Sequence, residues 1–236
     1  MHARAEQAAD IRDTIVIVLA LAGGAVDAIS FLGLGGAFSA NMTGNVVLLG
    51  AAAGKGFDEA LLRSGAALAG YVVGVYVAAR AVRTIGGERL AAGELWPGWM
   101  TRGLVVVALL ECIVLAGWLA SDGQPSVAGE AMLLAVFALA MGAQAALAHR
   151  LGLSGVTTTY VTGTLTGFLG ELATDSGGTR NRLQRLSMVL ALFIGAALAA
   201  LLVFQARELA AFLPPLLTVA AVVLAVRAFG PAFGAR

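Results

Sequence analysis

The chain alternates long apolar runs with short polar interruptions. Six runs, residues 13–34, 61–83, 102–120, 128–150, 186–206 and 211–229, have the roughly 20 apolar residues that a helix needs to cross a hydrocarbon core. Two shorter apolar pieces, 42–54 and 161–172, fall short of a comfortable crossing. Each follows a polar, Gly-containing break, "GGAFSANMTGN" at 35–45 and "SGVTTTYVTGT" at 154–164. The connecting loops are short. The longest, 84–101, carries Trp96 and Trp99, which would suit one membrane interface, with Trp118 at the opposite one. The pattern predicts a single all-α membrane domain over 1–236.

Composition agrees with this reading. The chain is 59% hydrophobic and 12% charged, about half the charge of an ordinary soluble domain. A net charge of +1 offers no field for nucleic acid. The apolar run after the polar N-terminus is longer than a signal-peptide core and is not closed by an A-x-A-like site, so the first span is expected to stay in the mature chain. The single cysteine, Cys112, excludes a disulfide framework and reads as a buried small residue.

Charge placement separates two layouts. Eight spans, with the short pieces crossing, put at best 9 of the 15 basic residues on one side. Six spans with two re-entrant segments place 12 on the cytoplasmic side: Arg4, Arg12, Arg80, Arg83, Arg89, Arg102, Arg150, Arg180, Arg182, Arg185, Arg227 and Arg236. Only Lys55, Arg63 and Arg207 fall outside. The concentration of Lys and Arg inside favours six spans, both termini cytoplasmic, in the cell (inner) membrane.

The two breaks align without a gap at an offset of 119, pairing Gly33 with Gly152, Gly36 with Gly155, Thr43 with Thr162 and Gly44 with Gly163. The order of elements also repeats: a span, a break, a half-length helix, then two spans. Three crossings per half invert the second copy (128–229) relative to the first (13–120). The expected fold is therefore six transmembrane helices plus two re-entrant half-helices in an inverted 3+3 repeat, with a midplane site where the half-helix N-termini meet. Non-helical backbone at that depth is tolerated only where protein or water covers it. Gly and Thr serving close helix packing is the alternative, as in Gly70-x-x-x-Gly74. Asn41 and Asn45 speak against packing alone, because a buried amide needs partners. Either Asn41 or Thr43 could act as an N-cap.

"GGAVDAISFLGLGGAFSANMTGNVVLLG" at 23–50 resembles the distinctive block of the YoaK-like family of bacterial membrane proteins, and the resemblance extends in length and layout over nearly the whole chain. It implies a polytopic inner-membrane protein of about six spans and names no substrate. The carry-over is limited to Asp27, Asn41, Thr43, Gly44 and Asn45.

Two acids, Asp27 and Glu111, lie well inside spans, where an ionisable group is a functional candidate by default. Asp27 either hydrogen-bonds the break or carries a proton or sodium ion. Gln144 lies near its counterpart position, so the second half lacks the acid. Candidate solute- or ion-binding residues are Asp27, Asn41, Thr43, Gly44, Asn45, Glu111, Gln144, Thr162 and Gly163. "GAAAGKG" lacks the P-loop spacing and its Ser/Thr, and no zincin or nucleophile-elbow motif occurs. No cofactor, metal or enzyme activity is expected. Expected partners are the lipid bilayer, an unidentified small solute or ion, and, as an open alternative, a second copy of the chain. The chain reads as a small-solute transporter, with a passive channel or a non-transporting membrane partner subunit as alternatives.

Overall fold

The computed structural model describes residues 2–54, 58–84, 95–151, 161–174 and 178–230. These residues form helices α1 (His2–Gly33), α2 (Met42–Ala53), α3 (Glu59–Thr84), α4 (Gly98–Ala120), α5 (Val127–Arg150), α6 (Val161–Ala173), α7 (Thr179–Gln205), α8 (Arg207–Ala210) and α9 (Leu213–Phe229), with no strand among the described residues. Six helical stretches are long and apolar enough to cross a membrane: Glu6–Gly33, Glu59–Thr84, Gly98–Ala120, Val127–Arg150, Arg182–Gln205 and Arg207–Phe229. The last is not continuous. Pro214 and Pro215 cannot donate to a preceding turn, so they start α9 and leave α8 as a separate turn before it.

Contacts between distant segments fix the direction of each helix. At one end, Arg207 donates to the carbonyls of Gly123 (Nε, 2.6 Å) and Gly33 (3.3 Å) and lies over the Trp118 ring. At this end too, Arg63 pairs with Glu130 (Nε–Oε2, 2.6 Å) and crowds Gly35. At the other end Arg180 pairs with Asp10 (2.8 Å), and Trp96 stacks on Phe229. The chain therefore leaves α1 and enters α3 at the same end of the bundle.

Packing centres on α1 and α5, the most enclosed helices. α7 and α9 lie on α1, α3 and α4 lie on α5, and α4 meets α9. α2 rests on α3 and α6 on α7. The two principal crossings have no room for side chains. A Cβ at Gly24 would overlap the carbonyl of Leu192, and one at Gly195 that of Leu21, so α1 and α7 touch backbone to backbone. α3 and α5 do the same through Gly142 on Tyr71 and Gly70 and Gly74 on Ala135 and Leu139. Without a hydrophobic drive between helices in lipid, such close approach supplies the attraction. The Gly70-x-x-x-Gly74 expectation therefore holds.

Three expectations need correction. Cys112 is exposed on the outer face of α4, not buried. Trp96 and Trp118 are enclosed rather than set at the lipid interface, because each indole N–H finds an internal acceptor: Thr101 Oγ1 (2.9 Å) and the Arg207 carbonyl (3.0 Å). Outward faces instead carry apolar side chains such as Val72, Tyr76, Phe193 and Phe204.

Gly74→Ala and Gly195→Ala should each destabilise the protein by about 1–3 kcal/mol, the usual range for overpacking. Gly50→Ala, where a Cβ would meet open space, should change little. Thermal unfolding in detergent measures all three, and equal Tm values would refute the backbone-contact account.

Candidate functional site

The first break is a turn stapled by side chains. α1 ends with Leu34 N–H on Ser30 O (3.1 Å) and Gly36 N–H on Phe31 O (3.0 Å). Gly35 and Gly36 take φ of 85° and 87°, a region that favours glycine. The chain then doubles back beside α1, with Phe38 stacked on Phe31 and the Ser30 and Ser39 hydroxyls 2.7 Å apart. Four consecutive N–H groups find side-chain acceptors. Asn45 Oδ1 takes the Phe38 N–H (2.9 Å), and Asp27 Oδ1 takes those of Ser39 (3.0 Å), Ala40 (2.7 Å) and Asn41 (3.4 Å). Asn45 Nδ2 donates back to the Phe38 carbonyl (2.5 Å). Asn41 is the N-cap of α2, its side chain accepting the Gly44 N–H (3.3 Å). The capping expectation thus falls on Asn41, and Asn45, fully buried one turn later, ties the turn to the helix.

A cavity of about 740 Å³ opens at this turn. Asp27 of α1, Asn41, Thr43 and Gly44 at the start of α2, Thr162 at the start of α6 and Leu192 of α7 border it. Segments more than 110 residues apart in sequence therefore face one space, with the opening turns of both short helices in its wall. A helix start carries a positive partial charge, which the Asn41 cap answers in part at α2, while Asp27 contributes carboxylate oxygen. The arrangement can hold a small solute by donors and an acceptor together.

Asn45, Glu111, Gln144 and Gly163 are not among the residues bordering this space. Gly163 lies in the first turn of α6, next to Thr162. Gln144 is buried and donates to the Leu19 carbonyl (3.4 Å), joining α5 to α1. Glu111 is buried in α4 beside Thr218 of α9, and neither carboxyl oxygen has a hydrogen-bond partner of good geometry. Most of the second break, residues 154–160 of 154–164, lies outside the described residues. Sequence reasoning missed Ser30, Ser39, Phe38 and Leu192. The two serines flanking a Gly-rich turn were a readable signal; Phe38 and Leu192 are apolar residues among many and carry none.

Gly44 borders the cavity but is also confined. A Cβ there would come 2.9 Å from the Phe38 ring and 3.2 Å from Asn41 Nδ2, so bulk at Gly44 disturbs the cap as well as the cavity. Asp27 is where the turn is most exposed to mutation. Asp27→Ala leaves three N–H groups without an acceptor and should destabilise the protein by on the order of 3 kcal/mol. Asp27→Asn keeps an Oδ1 acceptor and should lose much less. Thermal unfolding in detergent separates them, and equal losses would mean that Oδ1 does not secure the turn.

The sequence profile described as "Protein of unknown function (DUF1275)" matches residues 15–225. The chain is 35% identical over 166 residues to the "UPF0700 transmembrane protein YoaK" of Bacillus subtilis (strain 168), covering 70% of this chain and 69% of that one. No solved structure matches. With a six-span helical architecture and a profile match over most of its length, the chain belongs to the DUF1275 family, the YoaK-like transmembrane proteins.

Proposed function

We propose that this membrane protein moves a small solute, without enzyme chemistry, through a midplane site between two re-entrant half-helices. In this reading α2 and α6 enter from opposite faces of the cell membrane, and both termini are cytoplasmic. The observation that carries it is the shared cavity at the starts of α2 and α6, with Asp27 in its wall. Helix starts turned into a protein-lined space at membrane depth are a recurring device of transporters.

The glycine contacts support the inverted repeat behind this reading. Gly24 on Leu192 corresponds to Gly142 on Tyr71, and Gly195 on Leu21 to Gly74 on Leu139. One offset, 118, relates α1 to α5 in both pairs, and another, 121, relates α3 to α7. The element pairings follow the same rule, α1 with α7 and α9 mirroring α5 with α3 and α4. At an offset of 118, Asp27 is matched by Ala145 and Gln144 by Val26, so the acid has no counterpart and the site is asymmetric.

Asp27 decides between coupled and passive movement. Its Oδ1 is occupied by three backbone donors, which favours a structural role and hence a passive pore. Its place in the cavity wall favours a group that exchanges a proton or sodium ion.

Thr43 and Thr162 are exposed side chains at the two helix starts and are better probes than the confined glycines. A thermal-shift screen of purified protein against small metabolites and ions identifies the solute. In proteoliposomes, Thr43→Trp and Thr162→Trp should each lower its uptake about tenfold per folded molecule, roughly 1.4 kcal/mol on the barrier. Normal uptake in both would refute a shared path. Asp27→Asn should abolish gradient-driven accumulation if the site is coupled, and leave uptake unchanged if it is a pore.

A further inference from the structure

The cavity at the helix starts has a chemical bias of its own. Asp27 is the only residue in its described wall that can carry a formal charge. Its Oδ1 is taken by three backbone donors, while Oδ2 makes no hydrogen bond among the described residues and is not enclosed. No protein cation answers it: Arg63 of α3 is committed to Glu130, and Arg185 of α7 to Glu171. The positive end of α2 is met in part by the Asn41 side chain. The wall also carries the Phe38 ring, has Thr43 and Thr162 at the two helix starts, and is apolar at Val47, Leu48 and Leu192. A carboxylate without a protein partner and an aromatic ring in one wall both attract positive charge. The apolar stretch suits a bare metal ion poorly. A hard cation takes about six oxygen ligands, and among the described residues no group of three or more His, Cys, Asp or Glu side chains could hold one. The space, about 740 Å³, is that of a small-molecule site, for which roughly 300–1,000 Å³ is usual.

We propose that the solute is a small organic cation, its ammonium head paired with Asp27 Oδ2 near the Phe38 ring and its apolar body lying along Val47, Leu48 and Leu192. The proposal rests on the reading of this cavity as a solute site and adds the class of solute. Asp27 then has two separate tasks: Oδ1 secures the turn, and Oδ2 holds the cation.

The test uses purified full-length protein in detergent and small probes matched in shape. Choline is compared with its carbon isostere, in which a neutral quaternary carbon replaces the nitrogen, and butylammonium with butanol and butyrate. Thermal unfolding and isothermal titration read binding. Each cation should bind at least about tenfold more tightly than its uncharged or anionic counterpart, as a charge-assisted contact implies. Asp27→Asn keeps the Oδ1 acceptor and should abolish that preference. Thr43→Lys leaves Asp27 intact and, from an exposed position in the wall, puts a competing ammonium into the cavity; it should lose the cations, whereas Thr43→Gln should keep them. Phe38→Leu should weaken choline about threefold, and Phe38→Tyr should not. Failure of both cations to bind, equal binding of the neutral or anionic probes, a preference that survives Asp27→Asn, or cations retained by Thr43→Lys would each overturn the proposal. A neutral or anionic solute whose uptake into proteoliposomes falls in both Thr43→Trp and Thr162→Trp would overturn the cation class and leave the path standing. Selective cation binding with uptake untouched by both variants would support the class and overturn the path.

Discussion

Four consecutive backbone N–H groups, those of residues 38–41, must be satisfied inside a protein that spans lipid. A helix ladder cannot do this, because the chain is turning. Two side chains supply the acceptors, Asp27 from the helix before the turn and Asn45 from the helix after it. The rest of the site follows. With the turn secured, α2 starts with Asn41 as its cap, and its first residues border a cavity.

The same turn constrains the helices around it. Gly35 and Gly36 let the chain reverse, and Arg63 closes over Gly35 while pairing with Glu130. α1 must then run close to α7 for Leu192 to reach the cavity wall, and Gly24 and Gly195 permit that approach. A polar turn, a backbone-level helix crossing and the start of α6 thus converge on one space. Each alone has a plain structural explanation. Their convergence is what favours passage of a solute over scaffold.

Much of this was legible in the sequence, for identifiable reasons. Crossing length is a count of apolar residues, so the six long helices and two short ones were readable, although α1 begins at His2 and α7 at Thr179, ahead of the apolar runs that open at 13 and 186. Asn, Thr and Gly inside an apolar run are costly without a purpose, which singled out Asn41, Thr43, Gly44 and Thr162, all of which border the cavity. Facing was not legible. A helix apolar all round has no polar side to orient it, so nothing placed Cys112 outward or enclosed Trp96 and Trp118. Tertiary partners were equally hidden. That Glu111 sits beside Thr218 on α9, or that Gln144 reaches Leu19 on α1, depends on helix packing that no local pattern encodes.

The account turns on α2 and α6 entering from opposite faces, so the chain segments that follow them should lie on opposite sides of the membrane. Glu59, at the start of α3, and Gly178, before α7, are exposed positions suited to single cysteines in a Cys112→Ala background. A membrane-impermeant thiol reagent should label Glu59→Cys in intact cells and Gly178→Cys only after permeabilisation. Labelling of both from the same side would contradict the inverted arrangement and the solute path built on it.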